Sequence, residues 1–161
     1  MCATMLAFWV LLAASSLANA DPDRYAEERK NFQNQKLSDF TKETATYYVA
    51  RRDYKRETID RCLFAKKVGE LSSGKYKYKL GAKVGGTWIH GEVPVTPVKT
   101  GSHNVPNAAK YTEDPGCFVL VKDEKAGDPI DGECDRVYQE QCGGLSMTLY
   151  DKEECAQGPK V

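Results

Sequence analysis

From residue 46 onward, apolar and polar side chains alternate with a period of two. The alternation is cleanest in Lys75-Tyr76-Lys77-Tyr78-Lys79-Leu80, where two tyrosines and a leucine share one face and the lysines take the other. Residues 46–52 (Thr-Tyr-Tyr-Val-Ala-Arg-Arg) are rich in β-forming types and read as another strand. Segments 62–68, 87–95, 108–112 and 117–122 are further strands, punctuated by turn-rich pieces such as Ser72-Ser73-Gly74 and Asp114-Pro115-Gly116.

Ahead of the strands the period is helical. Asp21-Pro22-Asp23 combines a capping oxygen, a proline that sacrifices no hydrogen bond and acids in the first turn, so a helix is predicted over about residues 22–37. Tyr25, Phe32 and Phe40, with Ala26 and Leu37, form an apolar stripe suited to closing one end of a fold. Near the C-terminus, Asp131-Gly132-Glu133 caps a helix running to Cys142, with Cys134, Val137, Tyr138 and Gln141 on one side and Gly143-Gly144 ending it. A last short strand spans 147–150. Helix, β-meander, helix and strand, with no internal repeat or linker, predict one mainly β, antiparallel sandwich or barrel.

The first twenty residues change the picture of where the chain works. They carry no charged side chain, and an apolar run from Met5 to Leu17 leads into Ala18-Asn19-Ala20, the small-x-small exit of a secretory signal peptide. Cleavage after Ala20 leaves one domain, Asp21 to Val161, secreted and extracellular. Cys2 departs with the leader, so Cys62, Cys117, Cys134, Cys142 and Cys155 remain, an odd set in an oxidising compartment. They follow no zinc-ligand spacing, and no metal or other cofactor is expected.

The net formal charge of zero gives no reason to expect a nucleic-acid or membrane partner, but charge is unevenly spread. From Arg51 to Lys83 eleven Lys/Arg face four Asp/Glu, and from Glu113 to Cys155 four face twelve. The two halves either pair as solvated faces or leave a basic patch for an anionic partner. Catalysis is not expected. The one cysteine–histidine pairing on offer sets Cys142 against His90 or His103, the paired carboxylates Asp123/Glu124 and Glu153/Glu154 sit in polar turns, and Gly81 to Gly86 lacks the lysine of a phosphate loop. Gly86-Thr87-Trp88 lies in mid-chain, where the glycine-x-tryptophan signature of ordinary lipocalins does not belong.

Several short motifs together carry a family resemblance. Tyr47-Tyr48-Val49 followed by Arg52-Asp53-Tyr54, then Cys62 opening the next strand, resembles the first hairpin of the tick salivary lipocalins, the histamine-binding protein family. Cys117-Phe118-Val119-Leu120, Cys134 with Tyr138 four residues on, Cys142-Gly143 and Tyr150-Asp151-Lys152 before Cys155 are similar to that family's tail. The resemblance implies a lipocalin-like antiparallel β-barrel with an N-terminal and a C-terminal helix, secreted in saliva to sequester host mediators and evade host defence. Relatives bind histamine or serotonin, lipid mediators such as leukotrienes, or host proteins including complement.

Two departures stand out. An ungapped match puts Asn34-Gln35-Lys36-Leu37 where amine binders carry an Asp-Ala-Trp-Lys-like motif, so the carboxylate and the indole are both lost. The stretch from Lys122 to Glu133 is polar and holds Gly127, Pro129 and Gly132 where relatives have a further strand, so one strand is expected to be shortened or missing and the barrel incomplete. Strand phase nominates Tyr48, Tyr76, Tyr78, Trp88, Glu92 and Tyr111 as ligand-binding residues, and amine binding then depends on Glu92 pointing inward. The alternative is a decoy that binds a host immune protein and has no small-molecule ligand. The family's pairing implies the bridges Cys62–Cys155 and Cys117–Cys134, leaving Cys142 as a free thiol in a monomer that it could crosslink into a dimer.

Overall fold

The computed structural model describes residues 22–111, 117–142 and 146–159. The leader, the cleavage after Ala20, the Asp114-Pro115-Gly116 turn and the Gly143-Gly144 helix stop lie outside the described residues. Within them the strands are β1 (Thr46–Arg52), β2 (Arg61–Leu71), β3 (Lys75–Val84), β4 (Thr87–Val98), β5 (Ala108–Lys110), β6 (Phe118–Lys122) and β7 (Met147–Thr148). Each falls on a segment expected from its periodicity, although β2, β3 and β4 run longer and β5 and β7 stop sooner. They make one antiparallel sheet in the order β5-β4-β3-β2-β1-β6, with β7 also on β1.

The sheet is a strongly curled half-barrel. Its end strands β5 and β6 are not paired to each other among the described residues. The β3–β4 hairpin turns on Gly85-Gly86, both at positive φ (56° and 83°), which a two-residue connection requires and side chains resist. β1 pairs with β2 only over Thr46–Tyr48. Beyond that the two strands splay, and the C-terminal segment fills the split: Leu149 N donates to Ala50 O and Cys62 N donates to Leu149 O, each at 3.0 Å.

The N-terminal segment is not the single helix expected over 22–37. It breaks into α1 (Pro22–Glu27), a 3-10 turn (Arg29–Asn34) and α2 (Leu37–Thr41), with Glu28 and Lys36 extended between them. Local competition explains the break: the buried Asn31 amide donates to the carbonyl of Tyr25 at 3.0 Å, and the backbone of Leu37 is drawn off to Pro106 O. The C-terminal helix, α3 (Gly132–Cys142), forms as expected, with Asp131 accepting from Glu133 N at 3.0 Å. A last turn, α4 (Lys152–Cys155), is capped by the Asp151 carboxylate on Glu154 N.

Packing divides unequally between the two faces of the sheet. The convex face is filled: Tyr48, Cys62, Phe64, Ala126 and Cys155 form a buried cluster, with Trp88, Val121 and Tyr150 packed against it. The Cys62–Cys155 bridge, expected from the family resemblance, closes this layer with a Cα separation of 5.5 Å. The second bridge corrects the expectation. Cys117 pairs with Cys142 (Cα separation 5.8 Å), not with Cys134, and Cys134 is the free, exposed thiol. The inward face of α3 is Asp135, Tyr138, Gln141 and Cys142, with Tyr138 buried, while Cys134 in the first turn faces solvent and cannot reach the strand.

The charge asymmetry is partly resolved by the same helix. Arg51 donates to Asp135 at 2.6 Å and lies 5.8 Å from the Tyr138 ring centroid, joining the basic to the acidic half.

Candidate functional site

The concave face of the sheet encloses a cavity of about 670 Å³, within the range of small-molecule sites. Much of its wall is aliphatic: Val49, Leu63, Ala65, Leu80, Val84 and Leu120 line it beside aromatic residues such as Phe118, and these six are only half-buried because the space in front of them is unfilled. β1 sets the direction of the cavity. At the start of β1, α2 plugs one end with Leu37 and Phe40, and the Phe40 ring lies 4.6 Å from Tyr47 and stacks 5.6 Å from Tyr78. The far end of β1 supplies Arg52 and the β1–β2 loop supplies Tyr54, Lys55 and Asp60, and Ile89, 54% exposed, marks the open mouth.

The plug is tied down from outside. Ser102 donates its backbone N–H (3.0 Å) and its hydroxyl (2.8 Å) to the Glu27 carboxylate. These bonds hold that carboxyl below its ordinary value of 4.5. His103, buried, stacks on Phe32 with ring centroids 3.8 Å apart and places Nε2 3.0 Å from Ala26 O. The aromatic stripe of the N-terminal segment therefore closes one end, as its spacing suggested, although through three short pieces.

The nominated residues separate. Tyr78 and Tyr111 line the cavity. Tyr78 is 2% exposed, its hydroxyl has no partner among the described residues, and burial drives its pKa far above the usual phenol value. Tyr48, Trp88 and Glu92 do not line it. Tyr48 and Trp88 belong to the convex layer, and Glu92, about half exposed, pairs with Lys77 at 3.2 Å outside the barrel. Tyr76 shares the inward face of β3 with Tyr78 but lies beyond the cavity, under the Lys67 ammonium, which sits 4.9 Å from its ring. The expectation that Glu92 points inward is corrected by register: Leu80 is paired with Gly91 and Ala82 with Ile89, so the odd positions of β4 face in.

Arg52 is the residue that strand phase missed. β1 opposes Val49 to Leu120 but Arg51 to Val119, so Ala50 is an extra residue and the strand bulges there. Tyr47 and Val49 face inward before the bulge and Arg52, opposite Phe118, faces inward after it. Arg52 is 3% exposed, donates through Nη2 to Lys55 O at 3.0 Å and lies 5.0 Å from the Tyr54 ring centroid. Its Nε is buried without a hydrogen-bond partner among the described residues. The cavity is thus a largely apolar tunnel with the cations Arg52 and Lys55 at its open end, and Asp60 is the one carboxylate among the described lining residues.

No cluster of three or more His, Cys, Asp or Glu side chains that could hold a metal occurs among the described residues, and no described helix is long and apolar enough to cross a membrane. Comparison with known family models, curated proteins and solved structures finds no match to this chain.

Proposed function

We propose that this protein is a secreted lipocalin of the tick salivary type, which captures a small host mediator in its concave face and so blunts host defence. The observation that carries the reading is the aliphatic cavity itself. A sheet that fills its convex side with a packed, disulfide-closed layer and leaves half-buried aliphatic side chains around about 670 Å³ retains apolar surface that only a ligand would cover. The two intrachain bridges suit an oxidising, extracellular setting.

Among the mediators the resemblance brings in, the lining favours a lipid over an amine. Glu92 is outside, position 34 is Asn and position 36 is Lys, and the remaining carboxylate, Asp60, shares the mouth with Arg52 and Lys55. An ammonium drawn into that mouth would be desolvated beside cations. The cavity also favours ligand capture over the alternative of a protein-binding decoy without a ligand.

Calorimetric titration with leukotriene, histamine and serotonin tests this. The lipid is expected to bind one per chain, ~100-fold or more tighter than either amine, a difference of ~2.7 kcal/mol. Absence of binding by all three would overturn the reading, and tighter binding of an amine would overturn its choice of ligand.

A further inference from the structure

From Arg52 we infer that the ligand is an aliphatic carboxylate, seated with its chain in the tunnel and its headgroup on the Arg52 guanidinium. The inference rests on the cavity being a ligand site and goes beyond it by assigning charge and orientation.

Three independent observations converge on that one side chain. The first is the bulge at Ala50, without which the inward phase of Tyr47 and Val49 would present Arg51 and turn Arg52 outward. The second is isolation. Arg51 on the convex face has Asp135, but Arg52 makes no ion pair among the described residues, and Asp53 beside it accepts from Cys117 N at 2.8 Å instead. The third is the unmet donor. A guanidinium presents five N–H groups, and among the described residues Nε is buried without a partner while Nη2 is spent on a backbone carbonyl. A buried cation without a counter-charge is costly unless something supplies one, and a carboxylate matches the guanidinium fork with two parallel bonds.

The position of Arg52 orients the ligand. It stands at the mouth, at the opposite end of β1 from the Phe40 plug, roughly 15 Å away for five residues of strand. A chain entering tail first meets Val49, Leu63, Leu80 and Leu120 on the way in, and its headgroup stops at Arg52.

The test uses the mature, disulfide-intact protein and two fluorescent probes, cis-parinaric acid and its methyl ester, which differ only in the headgroup charge. Wild-type protein is expected to bind the acid at least about tenfold more tightly than the ester. Arg52→Met should abolish that preference, bringing the acid and the ester to equal affinity, and Arg52→Lys should retain part of it. Equal affinity for acid and ester in the wild type would overturn the inference while leaving the cavity reading intact, as would a preference that survives in Arg52→Met. Binding of neither probe would overturn both. If Arg52→Met fails to fold, the acid-to-ester ratio of the wild type decides alone.

Discussion

Gly81 shows how much at the cavity turns on single residues. A Cβ there would collide with Ile89 O and lie 2.7 Å from both the His90 Cβ and the Phe64 ring, so the glycine lets Phe64 cross the strand and close the convex layer. Gly81→Ala is expected to cost ~1–3 kcal/mol, read as a lower urea midpoint with an unchanged slope. Tyr78→Phe should go the other way, because it removes a buried hydroxyl that has no partner among the described residues: stability unchanged or raised by ~1 kcal/mol in the ligand-free protein, measured by the same unfolding curve. At this scale the sequence was legible only in part. The lysine–tyrosine alternation of β3 placed Tyr78 and Leu80 correctly, since one of its faces is all charged. In β4 both faces carry bulky groups, Trp88 and His90 against Ile89 and Val93, and nothing local says that the C-terminal segment will bury Trp88 from outside. Arg52 was hidden for another reason: a bulge inverts strand phase and leaves no mark in composition.

The strands could be read because their alternation is strong and their turns are glycine-rich, whereas the N-terminal helix was over-read because its partners are distant in sequence. Glu27 and Ala26 answer to Ser102 and His103, and those tertiary bonds outweigh the helical propensity of the segment. Gly101 makes the latch possible, since its φ is +51° and a side chain there would strike the Glu27 carboxylate. Gly101→Ala should therefore release α1 from the 99–106 loop and raise amide exchange at Ser102 without disturbing β1–β4. Acid should do the same. The folded pKa of Glu27 is depressed, so its contribution is complete above the ordinary value of 4.5 and is lost as pH falls through the lower folded value. Exchange at Ser102, corrected for its intrinsic rate, is expected to rise in that acid window in wild type and to be high and flat across it in Glu27→Gln. Equal protection in both proteins at neutral pH would contradict the latch.

For the whole molecule, the leader, the cysteines and the strand pattern gave a secreted, mainly β, disulfide-bonded domain, of which the structure shows the curled antiparallel sheet and two bridges. The pairing of Cys117 was carried over from a resemblance rather than read from the chain, and it failed because helix phase turns Cys134 to solvent. Quantitative alkylation of the native protein is expected to label Cys134 among the described cysteines, and Cys134→Ser should abolish any covalent dimer seen without reductant. Loop entropy ranks the bridges: removing Cys62–Cys155, which spans 93 residues, should cost about 4.6 kcal/mol, and removing Cys117–Cys142, which spans 25, about 3.5 kcal/mol. The central claim is that the concave face is left open for a ligand, and filling it tests that most directly. Ala65 lines the tunnel wall half-buried, so Ala65→Phe projects its ring into free volume rather than into packed core. Titration with the neutral apolar fluorophore N-phenyl-1-naphthylamine is predicted to show one site per chain in wild type and none in Ala65→Phe, with matching far-ultraviolet circular dichroism. Equal binding by the two proteins, or none by the wild type, would contradict the account.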